Sequence, residues 1–302
     1  MKKTVCFISI FDLTMVYHEM AKRLEEHGHH GVWMTTNPTW TAWLLTEGVA
    51  REDILELVFT EGDFLSAAEK QDVLRELVET EGAASRTANL SLIADRFVMG
   101  ANRADINDYV CLYYRHIKRF LLEKQVDCVF GEPTNINELL TGLICEQLNI
   151  LFLYPQTLRI PSGRFFFERA VATGEMVASG QAHALENSRQ QAEEIVTQFR
   201  VKRSHPTYFY LNNRRFQGFG KNLQALLNRL KANPLAKKDN LTHHRFLDQL
   251  LLKITRFFNQ VYLDHFFSYD ELEQVDGKVA FYGLHVQPEA SIDVYGPYAS
   301  DQ

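Results

Sequence analysis

The chain has 302 residues, 46% hydrophobic and 23% charged, a globular balance that can bury a substantial core and does not point to disorder. Its four cysteines, Cys6, Cys111, Cys128 and Cys145, make no C-x-x-C pair and no ligand-like spacing, so neither a disulfide framework nor a zinc site is expected. The net charge of −6 conceals an exception: Arg200 to Lys238 carries ten Lys/Arg and no Asp or Glu, leaving 22 basic against 38 acidic residues elsewhere.

Met1-Lys2-Lys3 precedes an apolar run from Val5 to Phe11. The run is short, Asp12 interrupts it and no small-residue cleavage site follows, so a buried first strand is expected rather than a signal peptide. No window approaches the ~20 apolar residues that span a bilayer. A cytoplasmic protein is expected, peripheral at the inner membrane at most. After a turn at Asp12-Leu13-Thr14, the spacing predicts a helix from Met15 to His27 with Val16, Met20 and Leu24 on the inner face and His18 exposed. Gly28 reads as its left-handed cap, and Gly31 to Thr36 as a second strand. Residues 38–100 read as mostly helical, broken at Gly48, Gly62 and Gly82.

A strong helix is predicted from Asp105 to Gln125, with Ile106, Tyr109, Val110, Tyr113, Ile117 and Leu121 inward. Val126 to Phe130 is the next strand, followed by a Gly131–Thr134 turn and a helix from Ile136 to Leu148. Asn135 and Glu138 have the spacing of a capping box. Ile150 to Tyr154 is a further strand, ahead of a polar loop from Pro155 to Arg164. Short apolar strands alternating with amphipathic helices predict an α/β fold, a Rossmann-like open parallel sheet flanked by helices, over residues 1–172. Residues 173–275 read as a helical, basic and aromatic extension and linker, including a long helix from His243 to Phe267. Residues 276–302 begin something new, with a strand from Lys278 to Leu284.

Ligands of open α/β sheets bind beyond the carboxyl ends of the strands, at helix amino termini. Three loops qualify: Asp12 and Thr14 after the first strand, Glu132, Thr134 and Asn135 after Val126–Phe130, and Gln156, Arg159 and Arg164 after Ile150–Tyr154. Glu132 is the carboxylate best placed to take a proton from an attacking hydroxyl, and equally placed to complement a helix dipole. Asp12 is a second carboxylate at such a loop, though a turn-forming role suits it better. The His27-Gly28-His29-His30 cluster reads as a helix cap and strand entry rather than a metal site. No P-loop, dinucleotide fingerprint or nucleophile elbow is present, and no D-x-D triplet suggests a bound divalent cation. No cofactor or metal is therefore expected. The basic, aromatic stretch 200–238 fits an anionic membrane surface, a lipid diphosphate or a solvated helical hairpin; nucleic acid fits least, because the whole chain is acidic.

Two segments carry a resemblance. Leu24-Glu25-Glu26-His27-Gly28-His29-His30-Gly31-Val32 is similar to a passage ending the first helix of many GT-B glycosyltransferases. Tyr282-Gly283-Leu284-His285-Val286-Gln287-Pro288-Glu289-Ala290-Ser291 resembles the signature of the capsule polysaccharide biosynthesis protein family, with Asp95-Arg96-Phe97 and Phe130-Gly131-Glu132 in keeping. The resemblance implies a two-domain glycosyltransferase whose first domain holds a glycan or lipid-linked acceptor. Its second domain would bind a nucleotide sugar, such as the cytidine-monophosphate ester of Kdo, with His285, Gln287 and Glu289 lining the cleft. Residues 276–302 would then be only the start of that donor domain, and the 302-residue chain alone is expected not to transfer sugar. Two other functions fit the same fold: a non-catalytic capsule assembly or export factor, and a sugar-nucleotide epimerase-like enzyme.

Overall fold

A computed structural model describes residues 2–9, 13–59, 61–84, 103–132, 135–158, 164–169, 176–177 and 185–202, with isolated helical positions within 251–265. In chain order the strands are β1 (Thr4–Ile8), β2 (His30–Thr35), β3 (Ile54–Glu56), β4 (Cys128–Phe130), β5 (Leu151–Leu158) and β6 (Arg164–Arg169). The helices are α1 (Leu13–Glu26), α2 (Pro38–Thr46), α3 (Ala67–Ala84), α4 (Arg103–Glu123), α5 (Ile136–Leu148) and α6 (Leu185–Lys202). The strands form one sheet in the order β3-β2-β1-β4-β5-β6, parallel except for β6, which runs antiparallel to β5. This is an α/β Rossmann-like sheet, with one antiparallel edge that the sequence did not announce.

Period-two alternation divides the core between the two faces of the sheet. Cys6, Ile8, Val32, Met34, Val129 and Phe152 pack under α3, α4 and α5. Val5, Phe7, Trp33, Phe130 and Leu153 pack under α1 and α2, where Tyr17, Ala21 and Leu44 meet them. Each of β1 to β5 contributes to both layers, which is why β1, β2 and β4 read as continuous apolar runs.

Helices turn into strands by one recurring device. At the end of α1 the His29 N–H reaches Leu24 O at 3.0 Å and the Gly28 N–H reaches Glu25 O at 2.9 Å, with Gly28 at φ 82°. This is the expected left-handed cap. Gly48 (φ 94°), Gln125 (φ 50°) and Asn149 (φ 55°) close α2, α4 and α5 by equivalent bonds. The predicted capping box also forms, with the Asn135 N–H donating to Glu138 Oε2 at 2.9 Å.

Several expectations are corrected. The inner face of α1 is set by Tyr17 and Ala21, not Val16, which is 54% exposed. His18 is buried at 4% exposure rather than exposed, its ring edge-on to Trp43 at 5.1 Å. The stretch read as mostly helical holds strand β3, three residues pairing in parallel with Trp33–Thr35. Gly82 does not break a helix, because α3 runs through it.

The loop expected from Pro155 to Arg164 is instead largely a hairpin: β5 continues to Leu158 and pairs with β6 from Leu153↔Arg169 to Leu158↔Arg164. Pro155 is tolerated there because β4 ends its register at Phe130↔Leu153. Beyond that point β5 has a neighbour on one side only, and the missing N–H breaks no ladder. The basic stretch 203–238, the strand expected at Lys278–Leu284 and the donor domain expected over 276–302 lie outside the described residues.

Candidate functional site

The strand order reverses direction between β1 and β4. The chain winds outward from β1 through β2 to β3, then returns to lay β4 against the other side of β1. At such a switch point the flanking crossovers lie on opposite faces, and a crevice opens at the carboxyl ends of the two strands. From β1 it receives Ser9, whose N–H donates to Met34 O at 2.8 Å. From β4 it receives Gly131 and Glu132.

Gly131 lets the strand end sit close to its neighbours. A Cβ there would come within 2.8 Å of Ile8 Cδ1 and 3.1 Å of Phe152 Cζ. Its N–H is held by Leu153 O at 3.2 Å. Glu132 follows at once, half-buried. Burial alone displaces its carboxyl, upward from the usual carboxylate range.

Two tyrosines, not singled out from the sequence, share this region. Tyr17 reaches in from α1, between rings that include Phe7 at 5.7 Å and Phe130 at 6.5 Å. Burial, then the Glu138 and Glu132 carboxylates, push its phenol well above the ordinary range. Tyr154 lies on β5, pushed up to about 12 by burial first and then by Glu132 and Glu168. The signal for Tyr17 was available: Leu13, Tyr17, Ala21 and Leu24 make a better helical stripe than Val16, Met20 and Leu24.

The other expected site residues are dispersed in role. Thr14 is fully buried, and its Oγ1 shares a 2.8 Å hydrogen bond with Ser9 Oγ. That bond ties the start of α1 to the end of β1 and gives the hydroxyl a partner inside the protein. Asn135 caps α5. Gln156 is half-buried on β5 rather than in a loop, and Arg164 opens β6 opposite Leu158. Asp12, Thr134, Arg159, His285, Gln287 and Glu289 lie outside the described residues.

The histidine cluster belongs to the opposite, amino-terminal edge of the sheet. His27 Nδ1 donates to Arg23 O at 2.7 Å, and His29 Nδ1 accepts the Lys3 N–H at 3.2 Å. His30 Nε2 stands 3.3 Å from Asp53 Oδ2. Among the described residues no three His, Cys, Asp or Glu side chains converge in a way that could hold a metal ion.

No protein-family model matches the chain, and no curated protein matches it in sequence. Among solved structures, MurG of Acinetobacter baumannii is similar at a TM-score of 0.31 and 13% identity, over 51% of this chain and 34% of that one. UDP-GlcNAc 2-epimerase of Methanocaldococcus jannaschii is similar at 0.30 and 11%, over 52% and 32%. The chain thus spans about a third of the length of these proteins. Similarity at that level carries no functional weight, and the fold rests on the chain's own topology.

Proposed function

We propose that the chain is the acceptor-side domain of a glycosyltransferase that builds a bacterial surface polysaccharide, capsule or lipopolysaccharide, from a nucleotide sugar. Glu132 is the base of that reaction. The observation that carries the reading is its position: a half-buried carboxyl, raised by burial, at the carboxyl end of β4 where the strand order reverses. A carboxylate so displaced binds a proton more readily than one in water, and lies closer to the pH at which a base works best. In the proposed step Glu132 accepts the acceptor hydroxyl's proton while that oxygen bonds to the donor's anomeric carbon. The bond from the anomeric carbon to the phosphate oxygen breaks, and the nucleotide leaves with its electron pair. No base at this site needs a metal, in keeping with the absence of a D-x-D triplet.

The finer features come from the resemblance at Tyr282–Ser291. The donor is a cytidine-activated acidic sugar of the Kdo kind, the acceptor is a glycan or a lipid-linked glycan, and His285, Gln287 and Glu289 line the donor side of the cleft. Residues 200–238 rest on an anionic membrane surface, and no helix among the described residues is long and apolar enough to cross it. The test is transfer from a cytidine-activated acidic sugar to polysaccharide fragments, using the whole protein as its gene encodes it. Glu132→Gln is expected to lower the rate by on the order of 10²-fold, and a chelator to leave it unchanged. Full activity in the variant would remove Glu132 from the reaction.

A further inference from the structure

Tyr17 presents a problem that its packing does not solve. Only 1% of the residue is exposed, and its phenolic oxygen has no hydrogen-bond partner among the described residues. A buried donor left unpaired loses its hydration with nothing in return, which costs stability. Native proteins hold few such groups, and each one asks for an explanation. The ring would pack as well without the oxygen, since its neighbours Phe7 and Phe130 are apolar.

Glu132 has the complementary deficit. It is an acceptor partly withdrawn from water, and among the described residues no opposite charge or hydrogen bond offsets its burial. The Tyr17 ring packs against Phe130 at 6.5 Å, two residues before Glu132 at the end of β4, yet the phenol does not bond the carboxylate. Among the described residues one side lacks an acceptor and the other lacks a donor. A hydroxyl supplies both at once, whereas an ammonium only donates and a phosphate oxygen only accepts. Phosphate is disfavoured further because the charged side chains acting on Tyr17 and Tyr154 are carboxylates: Glu132, Glu138 and Glu168.

We propose that Tyr17 and Glu132 form a donor–acceptor pair that receives a single hydroxyl of a neutral sugar, the phenol donating to its oxygen and the carboxylate accepting its proton. Under the transferase reading, on which this inference rests, that hydroxyl is the attacking one. The site therefore selects the acceptor, and the anionic donor binds elsewhere. Tyr17 orients the oxygen and Glu132 takes the proton.

The experiment uses the whole protein as wild type, Tyr17→Phe and Glu132→Gln. Binding of methyl β-D-glucoside, methyl β-D-galactoside, N-acetylglucosamine and glucose 6-phosphate is followed by ligand-observed NMR, and stability by urea unfolding. At least one neutral sugar is expected to bind, glucose 6-phosphate no more tightly, and each substitution to weaken binding on the order of tenfold. Tyr17→Phe should unfold at a urea concentration no lower than wild type, since it deletes an unpaired donor and keeps the ring. Absent binding of every neutral sugar, binding undiminished by Tyr17→Phe, tighter binding of the phosphate, or a lower unfolding midpoint would each overturn the proposal. The two readings separate cleanly. If Glu132→Gln alone weakens binding and transfer, the transferase reading stands without the Tyr17 pair. If both substitutions weaken sugar binding in a protein that transfers nothing, the hydroxyl site stands without the chemistry.

Discussion

At Glu132 burial raises the carboxyl's pKa, and that displacement has a thermodynamic consequence apart from catalysis. A carboxyl raised in the folded state binds its proton more tightly folded than unfolded. Its contribution to stability is then fully present below the unfolded pKa and is lost as pH rises through the folded one. Near neutral pH the charged group therefore works against the fold. Glu132→Gln is expected to raise the urea midpoint at pH 7.5, and the gap from wild type should close toward pH 4. A variant less stable than wild type at pH 7.5 would mean that the carboxylate has a stabilising partner. Gain of stability with loss of activity is the pattern expected of a functional carboxylate. At this scale the sequence was partly legible. Glu132 could be placed at a strand end from its neighbours Phe130 and Gly131, but its closeness to Tyr17 depends on two elements more than a hundred residues apart.

Among the elements, those whose signals are local could be read directly. α5 carries its capping box at Asn135 and Glu138, and its predicted bounds match Ile136–Leu148. α1 ends at the expected glycine. Elements defined by partners were harder to read. β3 is three residues long, too short for a period-two pattern, and exists because Trp33–Thr35 offers an open edge. The β5–β6 hairpin was hidden by Pro155, whose meaning depends on where β4 stops. Gly82 was misread for a related reason: it lies within a helix held by tertiary packing, where its penalty is absorbed. Its position is exposed, and an added Cβ would meet nothing within 4 Å. Gly82→Ala should therefore stabilise the protein by about 0.5–1 kcal/mol, measured by chemical denaturation. A loss of stability would show that α3 ends before this residue.

Over the whole molecule, charge and topology assign different tasks to different segments. The sheet brings the Glu132 carboxyl to the end of β4, while Arg200–Lys238 gathers basic residues with no acid among them. Neutral acceptor chemistry suits the first, and an anionic surface suits the second. Binding to vesicles containing anionic lipid should weaken steeply with salt, since the screening length falls from about 10 Å at 0.1 M to about 3 Å at 1 M. Arg214, Arg215 and Lys221 changed together to Gln should weaken it further. Binding that ignores salt would assign the stretch another role.

The central claim is that one half-buried carboxyl at the switch point does the chemistry of sugar transfer, and its pH dependence exposes that role most directly. The measurement is kcat/KM for transfer by the whole protein between pH 4 and 9, for wild type and Glu132→Gln. The account predicts that wild-type activity falls as pH drops through a pKa above the usual carboxylate range, where protonation removes the base. The variant's small residual activity should lack that fall. An acid limb that persists unchanged in Glu132→Gln would place the base on another residue and contradict the account.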